Sequence, residues 1–305
     1  MIIGHQKQWQ FLKKSAELGR LSHAYLFSGQ EKLGKKTVAL EWVSLLFGQP
    51  PTKLLMGVHP DFALIEPIGK EIQISQIKDL NWRLSLRPFS ASFKAAIIDQ
   101  AHSMNQEAQN CFLKTLEEPR GETLLILITE YPEFLFPTIR SRSEIIKFYP
   151  VSKKEIENYL KEQGVETKKA RVISQVSQGK PGKAIDFFYL PQKLKERTVV
   201  LNEIIGLAES NLASRFQYAK EISKSPQLKE ILNIWLSFFR ENLISNLQKK
   251  RDPIPSLAAS YGAGVYFFSP KKLAAILQKI QSTSFLISTT NVNPRLALET
   301  LMLEL

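Results

Sequence analysis

The sequence predicts an α/β domain built on a parallel sheet, followed by a small helical domain and a larger all-helical one. Three observations predict it. Short apolar runs alternate with helical patterns through the first half of the chain, a glycine-bounded turn leads from the first run into a helical pattern, and the periodicity becomes helical throughout after Tyr149-Pro150.

In chain order, the strand candidates are Ala24–Ser28, Phe62–Ile65, Ala95–Asp99, Leu124–Thr129 and Ile145–Phe148. Between them, Ala39, Trp42, Val43 and Leu46 fall on one helical face, as do Met104, Ala108, Cys111, Phe112 and Thr115, so these helices can cover the sheet. Ser152 and Glu155 form a capping-box signature ahead of Ile156, Tyr159 and Leu160, which opens a second domain. Gly164 and Gly179 sit where helix C-caps are expected, and Pro181 can open a further helix carrying Ala184, Ile185 and Phe188. From Leu194 onward the pattern stays helical, with the aromatic-rich run Ile234-Trp235-Leu236-Ser237-Phe238-Phe239 and a break at Asp252-Pro253-Ile254-Pro255. The division that results is 1–149 for the sheet domain, 150–192 for a helical lid and 193–305 for a C-terminal helical domain.

A chain of 305 residues that is 44% hydrophobic can bury at least one substantial core. Its single cysteine, Cys111, excludes an internal disulfide framework and a cysteine-based zinc cluster, and lies on an apolar helix face that suits a core residue better than a nucleophile. A reducing, cytoplasmic setting follows. No apolar run approaches the roughly 20 residues a membrane span needs, and Gly4-His5-Gln6-Lys7 interrupts the apolar start as no signal peptide does. With 41 Lys+Arg against 29 Asp+Glu, the formal charge of +12 raises the local concentration of polyanions such as DNA. A scattered, solvated basic surface is the plainer alternative, and Lys249-Lys250-Arg251 reads as a charged helix end.

The chemistry concentrates in two places. Gly29-Gln30-Glu31-Lys32-Leu33-Gly34-Lys35-Lys36-Thr37 follows a strand and opens a helix, the context a phosphate-binding P-loop requires. There, glycines let backbone N–H groups approach phosphate, the helix N-terminus favours negative charge, and a lysine reaches the outer phosphates. Gly29, Gly34 and Lys35 fit that pattern. The next position should offer a hydroxyl to Mg²⁺, but it is Lys36, with Thr37 one place late; an ammonium donates hydrogen bonds and cannot ligate a metal. Ala95-Ala96-Ile97-Ile98-Asp99 is an apolar strand ending in a carboxylate, as a Walker B strand does. A tight turn without ligand and a simple helix cap are the bland alternatives for the two motifs.

The run from Ile98 to Asn110, Asp99-Gln100-Ala101-His102 included, and its continuation Leu113-Lys114-Thr115-Leu116-Glu117-Glu118-Pro119, resemble the δ′ subunits of bacterial DNA polymerase III clamp loaders, members of the AAA+ superfamily. The likeness continues in Arg20 to Phe27, in His59-Pro60-Asp61-Phe62, in Pro137-Thr138-Ile139-Arg140-Ser141-Arg142-Ser143 and in Asn293-Pro294-Arg295-Leu296-Ala297-Leu298-Glu299. The resemblance implies an AAA+ base, a helical lid and a helical collar that form one arm of a heteropentamer. Its partners would be the γ/τ motor subunits, the δ subunit, the sliding clamp and primer-template DNA.

Several residue roles follow from the resemblance alone. Arg142 would be an arginine finger acting on a neighbour's ATP, since a guanidinium can stabilise charge on a transferring phosphoryl group; a surface salt bridge is the alternative. Thr129 occupies the sensor-1 place, and Lys183, in Gly179-Lys180-Pro181-Gly182-Lys183-Ala184, stands where sensor 2 usually has arginine. AAA+ ATPases follow the Walker B aspartate with a glutamate, and this chain has Gln100, which offers no basic carboxylate to water. The family's four-cysteine zinc module has no counterpart in Phe47 to Lys53, and His59 alone cannot replace about four ligands. The implied protein is a stator with little or no ATP hydrolysis of its own, requiring no cofactor, binding no zinc, and able to hold ATP or ADP in its degenerate loop. An ATP-hydrolysing motor subunit and a stand-alone, sequence-independent DNA-binding protein are the competing readings.

Overall fold

A computed structural model describes residues 2–56, 59–119, 121–248, 268–290 and 292–305. The Lys249-Lys250-Arg251 run and the Asp252 to Pro255 break lie outside the described residues. The chain divides into two compact units, Met1–Ile185 and Asp186–Leu305.

The first unit is built on strands β1 (Ala24–Ser28), β2 (Phe62–Ile65), β3 (Lys94–Ile98), β4 (Thr123–Thr129) and β5 (Glu144–Lys147). They pair in parallel in the order β2-β3-β4-β1-β5, with Phe27 opposite Ile128 and Ile97 opposite Ile126. Successive side chains of a strand point to opposite faces, so each face acquires its own core. Tyr25, Phe27, Ile97 and Ile126 pack with Val38, Trp42 and Val43 of helix α2 (Lys35–Phe47). Leu26, Ala96, Ile98 and Leu127 pack with Ile77 and Leu80 of α4 (Ile74–Ser85) and Phe112 of α5 (Gln106–Glu117). Helices α1 (Gln6–Glu17), α3 (Pro51–Leu55) and α6 (Pro137–Ser141) complete this part.

Three strands differ at their ends from the sequence reading: β4 starts one residue earlier, at Thr123, and β5 stops at Lys147, one short of Phe148. β3 begins at Lys94 and stops at Ile98, which leaves Asp99 just beyond the sheet, and β5 starts at Glu144 because pairing with Tyr25 begins there. Met104 is buried but precedes α5, whose N-cap is Asn105.

The capping box ahead of α7 (Lys153–Glu162) is present: Ser152 Oγ accepts from the Glu155 N–H and the Glu155 carboxylate accepts from the Ser152 N–H. Helix α8 (Thr167–Val176) ends in Gln178 and Gly179, both left-handed, and the Val151 N–H donates to Gly179 O at 2.8 Å. Pro181 opens α9 (Pro181–Tyr189), where Ala184 and Phe187, rather than Phe188, reach the core.

The second unit comprises α10 (Pro191–Glu209), α11 (Leu212–Ile222), α12 (Leu228–Gln248), α13 (Pro270–Thr289) and α14 (Pro294–Met302). Its core gathers Ile204, Trp235, Phe239, Ile276, Leu298 and Met302. Arg215 fastens it by donating to the Leu207 and Ala208 carbonyls at 3.0 Å each, in the last turn of α10, where carbonyls run out of intrahelical partners. Among the described residues no helix is long and apolar enough to cross a membrane.

Candidate functional site: a P-loop with a lysine in the metal place

The strand order reverses between β4 and β1, and ligands of open parallel sheets bind beyond the carboxyl ends of the strands at such a point. The loop from Gly29 to Gly34 lies there, between β1 and α2. Its first residue continues the ladder, since the Gly29 N–H donates to Thr129 O at 3.2 Å. Gly29 has φ of 151°, and a Cβ there would stand 2.5 Å from the Phe148 carbonyl oxygen. Gly34, the N-cap of α2, is left-handed with φ of 91°. Both positions therefore require glycine for conformation, and Gly29 for space as well.

The loop is anchored through its carbonyls. The His5 ring donates from Nε2 to Leu33 O at 2.7 Å, and the Gly182 N–H, at the start of α9, donates to Lys32 O at 2.9 Å. Lys35 is only 6% exposed, and its ammonium donates to the Gly29 and Gln30 carbonyls. Burial pulls its pKa down to about 8 against the upward pull of Glu130, Asp99 and Glu31. A phosphate entering the loop would restore the full charge of this lysine, because an anion favours the protonated form.

Lys36 turns the other way. Its Nζ stands 2.6 Å from Glu66 Oε1, just past β2, and 3.6 Å from Asp99 Oδ2, just past β3. Burial raises the Asp99 pKa, and Lys36 is the leading influence that lowers it, ahead of the Gln100 N–H. The donor set does not fit Mg²⁺. The residue that would supply a hydroxyl supplies a cation, and that cation already lies between the two carboxylates a metal would use.

The remaining residues singled out from the sequence fall into place unevenly. Thr129 is buried; its Oγ1 accepts from the Tyr131 N–H at 3.1 Å and lies 3.2 Å from His102 Nδ1. Gln100 adopts a left-handed conformation with its N–H on Asp99 Oδ1, and its side chain is exposed. Thr37 is exposed in the first turn of α2. Lys183 lies in the first turn of α9, next to the Gly182 contact with the loop. Gly29, Gly34, Lys35, Lys36, Asp99 and Thr129 thus converge at one end of the sheet.

Arg142 does not join them. It lies two residues before β5, whose first residue pairs with Tyr25 near the start of β1, whereas Gly29 follows the end of β1. At about 3.3 Å per residue along the parallel strands, the arginine and the loop belong to opposite ends of the sheet. Its guanidinium is 40% exposed and pairs with Glu117 at the end of α5, Nη2 to Oε1 at 3.0 Å. Arg140 is half-buried, and its Nε finds no hydrogen-bond partner among the described residues.

Asp61, in the His59-Pro60-Asp61-Phe62 segment, is a structural centre with no signal of that role in its local sequence. Its Oδ1 accepts from the Phe89 N–H at 2.7 Å, and its Oδ2 accepts from Ser90 and Ala91 N–H groups at 2.7 and 2.9 Å. Lys94 Nζ lies 3.7 Å away, with the Asp61 side chain fully buried. Burial alone would raise this carboxyl, but the three N–H groups and Lys94 hold it down at about 2. His59, two residues earlier, accepts the Asp61 N–H on Nδ1 and stacks on Phe47 with centroids 4.5 Å apart. Among the described residues no group of three or more His, Cys, Asp and Glu is placed to hold a metal ion.

Residues 4–152 match the family described as DNA polymerase III, delta subunit. The chain is 37% identical over 179 residues to DNA polymerase III subunit delta′ of Bacillus subtilis, covering 55% of this chain and 54% of that protein. It is 36% identical over 135 residues to the subunit of the same name from Pseudomonas aeruginosa, covering 40% of this chain and 41% of that protein. A replication factor C small subunit from Sulfolobus acidocaldarius is 24% identical over 268 residues, 86% of this chain and 74% of that one. The chain spans about half the length, or less, of the two δ′ relatives.

Proposed function

We propose that this chain, whose residues 4–152 match the DNA polymerase III, delta subunit family and which is 36–37% identical over part of its length to two δ′ subunits, is a clamp-loader stator of the δ′ kind. It assembles with γ/τ motor subunits and δ in a heteropentamer, helps to place a sliding clamp on primer-template DNA, and lends Arg142 to a neighbour's ATP. One observation carries this reading: the loop keeps the form of a phosphate site while the metal hydroxyl and the catalytic carboxylate are replaced by Lys36 and Gln100. A motor subunit needs both. The loop accepts the phosphates of ATP or ADP without hydrolysing them, and neither zinc nor bound nucleotide is needed for assembly.

The distance between Arg142 and the chain's own loop supports action in trans, since a residue at the far end of the sheet cannot serve that loop. Releasing Arg142 from Glu117 costs little, because a half-exposed ion pair is worth about 0–1 kcal/mol. Arg142→Ala should therefore leave folding and assembly intact while lowering clamp- and DNA-stimulated ATP hydrolysis by the reconstituted complex. Arginine fingers contribute about 10³ to 10⁵ in rate in GTPases, and hydrolysis at the other sites of the loader dilutes the loss. Arg142→Lys should rescue poorly, for want of the planar fork. If Arg140→Ala has the larger effect, the finger is the other arginine; if both variants hydrolyse like the parent complex, there is none.

A further inference from the structure

Two carboxylates beside the first turn of α2 share one ammonium. Lys36 comes from the first turn of α2, Glu66 follows β2 and Asp99 follows β3, and β2 and β3 are neighbours with Ile65 opposite Ile98. The lysine contacts Glu66 at 2.6 Å and Asp99 at 3.6 Å, so three segments distant in sequence meet at one cation. Emptied of that cation, the pair would present two negative charges to any phosphate in the Gly29 to Lys35 loop. At about 4 Å each such repulsion is substantial even at the screening typical of protein surfaces.

We propose that Lys36 is the site's tethered counter-cation: it replaces the divalent metal, so that this loop takes nucleotide phosphate as the metal-free anion and is closed to Mg²⁺. The inference rests on the reading of the loop as a phosphate site and specifies its ligand. An ammonium is a compact charge with three donors and no lone pair, so it can neutralise the carboxylates and approach a phosphate oxygen but cannot share a coordination shell. A divalent ion entering between Glu66 and Asp99 would have to expel a cation that is covalently attached. The same geometry accounts for Thr37 having no part in the cluster: with the charge supplied by Lys36, no hydroxyl is needed.

The test measures ADP binding to the full chain by calorimetry, in chelator and in millimolar Mg²⁺. The parent protein should bind ADP no more tightly with Mg²⁺ than without it. Lys36→Thr, which removes the cation and restores the hydroxyl, should bind about tenfold more tightly in Mg²⁺ than in chelator, and adding Asp99→Asn should abolish that gain. Lys36→Met, which removes the cation and adds no ligand, should bind more weakly than the parent in chelator; thermal melts of the three variants confirm that they fold. A Mg²⁺ gain of about tenfold in the parent, or a Lys36→Thr protein indifferent to Mg²⁺, would overturn the proposal. So would a parent chain that gives no heat with millimolar ADP, since a loop that takes no phosphate has no use for a counter-cation. Assembly with motor subunits is measured separately, and that last result would leave the stator reading standing.

Discussion

Replacing Asp61 by asparagine should destabilise the first unit more than any change to the loop residues. The buried carboxylate accepts three backbone N–H groups from Phe89, Ser90 and Ala91 and faces the buried ammonium of Lys94. An asparagine keeps one acceptor oxygen but turns an NH₂ group toward either the Phe89 N–H and Lys94 or the Ser90 and Ala91 N–H groups. The shift of the carboxyl from an ordinary 3.8 to about 2 is worth ~2 kcal/mol at neutral pH. Leaving Lys94 buried without its counter-charge adds to this, since breaking a buried pair costs about 3–5 kcal/mol in all. The expected loss is about 3 kcal/mol or more, read from urea unfolding of the first unit at pH 7. Amide exchange at Ser90 and Ala91 should quicken in parallel.

The pH dependence has a definite sign. The folded pKa is depressed, so the contribution is present above the unfolded value near 3.8 and disappears as pH falls toward 2. The parent protein should lose stability through that window, and Asp61→Asn should lack this part of the slope. A loss below about 1 kcal/mol, or the same acid slope in both proteins, would refute the assignment of Asp61 as the anchor of the 89–91 turn.

Two further outcomes are expected. The isolated chain should not hydrolyse ATP at the ~1 s⁻¹ or faster of ordinary enzymes, because Lys36 and Gln100 stand in the metal-ligand and base positions; steady-state phosphate release checks this. A chain ending near Leu190, which retains α9 but removes the rest of the second unit, should fold yet fail to join the γ/τ and δ subunits, and full-affinity binding in size-exclusion chromatography would contradict the proposed collar role of 193–305.

Much of the fold was legible because its signals are local. Apolar runs such as Tyr25-Leu26-Phe27 and Ile126-Leu127-Ile128 are strands buried on both faces, which need no alternation to be recognised. The Ser152/Glu155 capping box and the glycines of the loop carry their conformations within a few residues. The amphipathic helices Gln6–Glu17 and Ile74–Ser85 lie outside the sequence reading, although Ile77, Leu80 and Leu84 recur at helical spacing in the second. What could not be read was made by pairing across the chain. Lys36 was recognisable as a missing hydroxyl, but its seat between Glu66 and Asp99 depends on β2 and β3 being neighbours. Asp61 looked like part of a motif, and its role appears only when the 89–91 turn folds over it. Arg142 could be placed at the far end of the sheet only once the strand register was known.

The proposed role of this chain is that of a stationary member of a clamp-loader assembly. The direct measurement is the molar mass, by light scattering during size-exclusion chromatography, of the purified chain mixed with the γ/τ and δ subunits of the same organism. The stator reading predicts a single heteropentameric species that contains this chain and forms whether or not nucleotide is present. A chain that elutes alone at its monomer mass, while γ/τ and δ assemble without it, would contradict that reading.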